Sequence, residues 1–420
     1  MLKKYRQPLI HILLFLITFA TTTLAGADWK SDYYDSYGER ILSGLNFSIT
    51  FLAILTIHEF GHYYFAKKYK LDVSLPYYLP FYLPGTPSIG TFGAFIRMKG
   101  QIRSRSSIFD IGIAGPLAGF AAALILLTYA FATLPDKEYL YTIKPDYKRF
   151  GEDYAAHVYT YDYLKNTSDA YVNKHFIEDS IYYVKHNAAE PDLTKPTKEY
   201  TSEFTLFSVG DNILLFLFKK IFAYQGDKIP NKYEFYRYPY LFAAYLALFF
   251  TALNLIPVGQ LDGGHVIYGL FGHKTHKKIA GIFFTGFVTL AGIGLFKSNP
   301  MDINFFTANA LDQLQFALLY LSFLYLVFSR MYKNFMNTIL VAVAVFTLQL
   351  VIEFIFPDIT GYNGWLLYAF LIGRILGVYH PPSIDESPLD LKRKVLGWLA
   401  VLVFILCFTP EVITLESFNP

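Results

Sequence analysis

The chain has 420 residues, of which 54% are hydrophobic and 16% charged, a balance that excludes a soluble domain and implies several membrane crossings. Its single cysteine, Cys407, excludes an intramolecular disulfide and a cysteine-built zinc site. The net charge of +3 comes without a Lys/Arg run interleaved with aromatics on a soluble face, so no nucleic-acid partner is expected. In chain order, Met1 to Gln7 is basic through Lys3, Lys4 and Arg6, and an apolar run from about Pro8 to Ala25 predicts a first span. Thr23-Leu24-Ala25-Gly26-Ala27 resembles a signal-peptidase site, but the apolar part is long for a signal peptide, and an uncleaved span is expected. The polar, acidic stretch Trp29 to Arg40 leads into a second span, about Ile41 to Ala66, which ends in Lys67-Lys68-Tyr69-Lys70. The positive-inside rule puts the N-terminus and these lysines in the cytoplasm.

Toward the cytoplasmic end of the second span stands His58-Glu59-Phe60-Gly61-His62. On a helix, His58 and His62 are one turn apart on one face. Two imidazoles so placed can grip one Zn²⁺, and Glu59, beside the first, can polarise a water on the metal. The bland alternative is a pair of satisfied histidines at a helix end. Location weighs against it, because ionisable residues inside a span are costly and usually functional.

Leu75 to Met98 carries Pro76, Pro80, Pro84 and Pro87, which break any helix, and then Ile89-Gly90-Thr91-Phe92-Gly93-Ala94-Phe95-Ile96. The second part mixes glycine with apolar and β-branched residues and predicts a short membrane-associated hairpin, with a surface loop as the alternative. Backbone of this kind at membrane depth must be covered by protein or line a wet cavity. Lys99 to Arg105 is basic and cytoplasmic, and a third span follows over about Asp110 to Leu134. It opens with Gly112-Ile113-Ala114-Gly115-Pro116-Leu117-Ala118-Gly119, whose small residues permit close helix contact. Pro135 to Tyr236 is polar and reads as one extracytoplasmic insert. Within it, Phe204 to Tyr224, interrupted by Asp211, Lys219 and Lys220, is expected to be an interfacial or cavity-lining amphipathic helix rather than a full span.

A fourth span runs from about Tyr240 to Pro257. Further apolar runs lie near Ile279 to Phe296, Leu314 to Phe328, Ile339 to Phe356, Trp365 to Tyr379 and Val395 to Phe408. Arg330 and Lys333, then Lys392, Arg393 and Lys394, mark cytoplasmic turns; Asp302, Asp312 and Asp358 mark outer turns. The expected architecture is an all-α polytopic membrane protein with about nine transmembrane helices, the short hairpin and one extramembrane insert. It divides into residues 1–40, an N-terminal span and outer loop; 41–134, the first part of a membrane core; 135–236, the insert; 237–297, the second part of the core; and 298–420, C-terminal helices. The N-terminus lies inside, the C-terminus and the insert outside.

Two histidines leave a catalytic zinc site one ligand short, since three protein ligands and an open position are wanted. Asp262 is the leading candidate, because the charge pattern puts it at the cytoplasmic end of the fourth span, at the depth of His58 and His62. Pro257 breaks or kinks the span just before it, and Gly263 and Gly264 allow close backbone approach. The alternative for Asp262 is a plain Asp-Gly turn. His265, His273 and His276 are rival ligands in a basic neighbourhood that reads as a solvated cytoplasmic loop.

His58-Glu59-Phe60-Gly61-His62 and Asn254-Leu255-Ile256-Pro257-Val258-Gly259-Gln260-Leu261-Asp262-Gly263-Gly264 together resemble the paired motifs of the site-2 protease family of intramembrane zinc metalloproteases, peptidase M50. Gly90 to Ile96 and Gly115 to Gly119 are similar to that family as well. The likeness is strongest to the branch without a PDZ domain, which includes the chloroplast ethylene-dependent-gravitropism-deficient proteins and bacterial relatives. The resemblance implies that His58, His62 and Asp262 hold one Zn²⁺ and that Glu59 is the general base. It also implies that Asn254 helps hold the substrate or its oxyanion. The implied substrate is a transmembrane protein already trimmed by another protease. The main rival is a metal-binding membrane protein without hydrolytic activity, a transporter or an inactive relative.

Overall fold

A computed structural model of the chain describes residues 2–31, 34–84, 86–100, 102–167, 204–297, 304–332 and 334–418. Helix α1 (Leu2–Lys30) packs against α2 (Tyr37–Lys68). Ser36 caps α2 by accepting from the Glu39 N–H at 3.2 Å, and Lys67 and Lys68 close its last turn, where cations suit the helix dipole. The two helices meet through small residues: a methyl on Gly44 would stand 1.9 Å from the Thr23 carbonyl oxygen.

Between α2 and α3 (Arg105–Ala132) lie four short strands, β1 (Asp72–Val73), β2 (Tyr77–Pro80), β3 (Thr91–Phe95) and β4 (Met98–Lys99). β2 pairs antiparallel with β3, and β1 with β4. The glycine-rich segment is therefore one strand of the expected hairpin, and its partner lies inside the proline stretch, where Pro80 is the final strand residue. The hairpin lies along α1. His11 Nδ1 is 3.0 Å from the Pro76 carbonyl, Thr21 donates to the Gly90 carbonyl at 2.7 Å, and Trp29 Nε1 donates to the Ser88 carbonyl at 2.7 Å. From His11 to Trp29 a helix rises about 27 Å, close to the thickness of a hydrocarbon core. Helix α1 thus covers backbone that would otherwise face lipid unpaired.

The described part of the insert holds short helices α4 (Glu138–Ile143) and α5 (Tyr154–Val158), strand β5 (Phe204–Val209) and helix α6 (Ile213–Ile221). Residues 168–203 of the insert, and Asp302 and Lys333 among the turn markers, lie outside the described residues. The expectation of one amphipathic helix over Phe204 to Tyr224 is corrected. Its first third is β5, paired with β6 (Ile413–Phe418) near the other end of the chain, and the α-helix covers Ile213–Ile221, with a 3₁₀ turn from Ala223. Phe204-Thr205-Leu206-Phe207-Ser208-Val209, rich in aromatic and β-branched residues, suits a strand, and Asn212 starts the helix by accepting from the Leu215 N–H at 2.8 Å. Asp211 and Lys219 are ion-paired at 2.6 Å.

Helix α7 (Pro239–Asn254) is buried nearly all round, between α2 and α3, as a helix apolar on every face must be. After a short turn come α8 (Asp262–Phe271) and α9 (His273–Ala291), joined at Gly272, whose φ of 77° is a left-handed conformation that suits glycine. The expected solvated loop after Gly264 is therefore two helices, and His276 is buried between them and a later segment around His380. Helices α10 (Ala310–Phe328), α11 (Phe335–Ile355), α12 (Gly364–Phe370, continued by a π-turn over Leu371–Leu376) and α13 (Leu391–Cys407) follow. Among the described residues five helices are long and apolar enough to cross a membrane: α1, α2, α3, α10 and α11.

Candidate metal centre

His58 and His62 lie on the inner face of α2, one turn apart, and both are buried. Asp262 is the first residue of α8. The Asp262 Oδ2 atom lies 3.4 Å from His58 Nε2 and 3.2 Å from His62 Nε2, and the two Nε2 atoms are 3.1 Å apart. Three potential ligand atoms turned toward one another at this distance suit a cation among them. Zinc with ligand bonds of about 2.0–2.1 Å in tetrahedral geometry sets its ligand atoms about 3.3 Å apart. The donor set and its spacing therefore fit a zinc ion.

Glycines let the helices come this close. Viewed along α3, Gly112 faces His265, Gly115 faces His62 and Gly119 faces His58. A methyl on Gly115 would stand 2.1 Å from His62 Nε2. Gly263 and Gly264 press α8 onto the preceding turn, where added methyls would meet the Leu255 and Gly259 carbonyl oxygens at 2.0 and 2.3 Å. The His62 imidazole is oriented from behind: its Nδ1–H donates to the Ile111 carbonyl on α3 at 2.7 Å, which leaves Nε2 as the lone-pair nitrogen.

Glu59 is buried beside the cluster, and the backbone of Ile96, just past β3, lies against its carboxylate. Asn254, at the end of α7, brings its Nδ2 to 3.3 Å from His58 Nε2. A cavity of 20 Å³ bordered by His58, Thr251 and Asn254 has room for about one water. A larger cavity, 660 Å³, lies elsewhere, between the α1–α2 connection and the hairpin turn.

All five residues singled out in the sequence thus converge. The rival ligands do not join them: among the described residues His58, His62 and Asp262 form the metal-competent group. The His265 ring packs instead on His380, 4.9 Å between centroids, and its Nδ1 is buried without a hydrogen-bond partner. Two features of the site escape sequence reading. The Ile111 carbonyl carries no side-chain signal. The segment before α13 reaches back to the core, where the Asp385 carbonyl accepts from the Arg105 N–H at 2.8 Å and Arg105 Nε donates to the Gly269 carbonyl at 2.8 Å.

The sequence profile of peptidase family M50 matches residues 46–295, more than half of the chain and both halves of the cluster. The chain belongs to peptidase family M50. It is similar to the Oryza sativa subsp. indica protein described as probable zinc metalloprotease EGY2, chloroplastic, with 23% identity over 244 residues, 58% of this chain and 32% of that protein. The Arabidopsis thaliana protein described as probable zinc metalloprotease EGY1, chloroplastic, is 27% identical over 221 residues, 53% of this chain and 28% of its own. The chain spans about a third of the length of these curated relatives. No solved structure matches it. As an M50 member with several apolar helices, the chain is a multi-pass integral membrane protein, and zinc is the metal the family implies.

Proposed function

We propose that this M50 member is a zinc metalloendopeptidase of the site-2 protease type, which hydrolyses peptide bonds within or near transmembrane segments of other membrane proteins. The observation that carries the reading is the meeting of His58, His62 and Asp262 from two helices, beside a buried glutamate. These three residues are assigned as the ligands of one Zn²⁺. When bound, zinc supplies Lewis acidity toward the scissile carbonyl and toward water. Glu59 is the general base: it takes the proton of the attacking water and delivers it to the leaving amine. Asn254, with its amide at the rim of the cluster, donates to the oxyanion as charge develops.

A helical substrate hides its peptide bonds and must be extended before attack. Among the described residues the β2–β3 sheet has two strands, which leaves one edge of β3 open, and that strand leads to Ile96 beside Glu59. The open edge is assigned to a strand of substrate. The enclosed site suits a substrate whose ectodomain another protease has trimmed; equal cleavage of trimmed and untrimmed forms would remove that step. About nine spans are assigned, with the N-terminus and the site-bearing helix ends in the cytoplasm, and with residues 135–236 and the C-terminus on the opposite side. A reporter fused after Lys278 that reads outside would break this topology.

The test is cleavage of a transmembrane substrate by purified protein. Glu59→Gln is expected to keep its zinc and lose about 10²- to 10⁴-fold in rate. Wild-type cleavage by that variant would sink the mechanism. A proline at Ala94 or at Phe95, whichever N–H faces the substrate, is expected to impair cleavage with zinc unchanged. Normal cleavage by both proline variants would discard strand pairing and leave the metal assignment standing.

A further inference from the structure

The back of the His62 ring is held by a chain of contacts that ends on α13, beyond the residues matched by the M50 profile. Arg393, in the first turn of α13, donates from Nε to Asp110 Oδ1 at 2.7 Å and from Nη2 to Asp110 Oδ2 at 2.8 Å. Asp390, which caps α13, accepts from Arg393 through its side chain and from the Arg393 N–H at 3.0 Å, so the fork is fixed on its own helix. Tyr69, at the end of α2, donates to the same Asp110 carboxylate. Asp110 is buried in the second turn of α3. The next residue, Ile111, offers the carbonyl that accepts from His62 Nδ1 at 2.7 Å.

This turn of α3 lies just before a proline. Pro116 has no N–H, so the Gly112 carbonyl, the one next to Ile111, loses its usual helical donor. A bidentate guanidinium holds the Asp110 carboxylate in one geometry, which a lysine, a point charge on a flexible stem, does not reproduce.

We infer that Arg393, with Asp110 and Tyr69, positions the metal centre: the fork on Asp110 fixes the Ile111 carbonyl, and that carbonyl fixes the His62 imidazole toward the ion. The inference rests on the reading of His58, His62 and Asp262 as a zinc site. It extends the functional unit to a helix outside the family match. Arg393 acts through other residues and touches no reacting atom. Outer partners of a metal-bound histidine change metal affinity by about 10- to 100-fold, and Arg393 stands one contact further out.

The test is zinc affinity of the purified full chain in detergent, measured by competition with a chelator. Arg393→Gln and Asp110→Asn are expected to bind zinc about tenfold more weakly, with Arg393→Lys between them and wild type. Tyr69→Phe, which removes one hydrogen bond and no charge, is expected to lose about threefold. Gln349→Leu, which loosens the C-terminal helices away from the site, is expected to keep wild-type zinc affinity. Unchanged affinity in Arg393→Gln overturns the inference, as does an equal loss in Gln349→Leu, which would mean general loosening. If Arg393→Gln does not fold, Tyr69→Phe decides, and unchanged affinity there overturns it. A wild-type chain that holds no zinc overturns the metal-centre reading itself, an outcome distinct from zinc held equally by wild type and variants.

Discussion

The His58–His62–Asp262 cluster and the Tyr320–Gln349–Glu353 cluster both place polar side chains among apolar helices, yet their partners differ in kind. In the second cluster the partners are mostly backbone. Gln349 Nε2 donates to the Val288 and Thr289 carbonyls at 3.1 and 3.0 Å, in the last turn of α9, and its Oε1 accepts from Tyr320 at 2.9 Å. Glu353 Oε1 accepts from the Gly294 N–H at 2.6 Å, just past that helix end, while Oε2 is left without a partner. These side chains satisfy a helix end that has no water to turn to. In the first cluster three lone-pair atoms face one another across 3.1 to 3.4 Å, with the backbone contact on the far side of the His62 ring. Burial and polarity are common to both. What separates the two is convergence: the inward atoms of the first cluster point at one another, as ligands of one ion do, whereas those of the second point at separate backbone groups.

That contrast is sharpest where the two clusters are perturbed by substitutions of similar size. Gly115→Ala puts a methyl 2.1 Å from His62 Nε2, although alanine is intrinsically the better helix former. Displacement of a ligand by about 1 Å costs on the order of 10²-fold in rate. A loss of that order in cleavage, together with weaker zinc binding, is expected. Gly286→Ala on α9, where an added methyl meets nothing within 4 Å, is the matched control and should behave as wild type. Equal behaviour of the two variants would break the contrast.

In the second cluster, Gln349→Leu takes the side-chain donor from the Thr289 carbonyl and the acceptor from the Tyr320 hydroxyl, while the Val288 carbonyl keeps the Gly292 N–H. Unmet buried polar groups cost about 1–3 kcal/mol, so thermal or denaturant stability should fall by that order, with zinc content untouched. Loss of zinc in this variant would erase the distinction between the clusters.

Much of the site was legible because its chemistry is local. The spacing of His58 and His62 declares a shared helical face, and charge at span ends brings Asp262 to the same depth without any contact information. The glycines of α3 announced a close approach, but not that Gly115 and Gly119 would lie on the imidazoles themselves. The illegible parts depend on distant partners. Phe204–Val209 becomes a strand because Ile413–Phe418 pairs with it, and local apolarity gave no hint of that partner. The segment after Gly264 reads as basic and wet, yet His276 is buried by packing around His380, which lies far along the chain. The Ile111 carbonyl, which orients His62, belongs to the backbone and leaves no trace in residue identity.

The central claim is that the inward atoms of the first cluster are zinc ligands and that Glu59 is not. Metal analysis of the purified chain tests it most directly, with wild type measured beside Asp262→Ala and Glu59→Gln. About one zinc per chain is expected in wild type and in Glu59→Gln, with clearly lower occupancy in Asp262→Ala. Full zinc in Asp262→Ala, or loss of zinc in Glu59→Gln, would contradict the account.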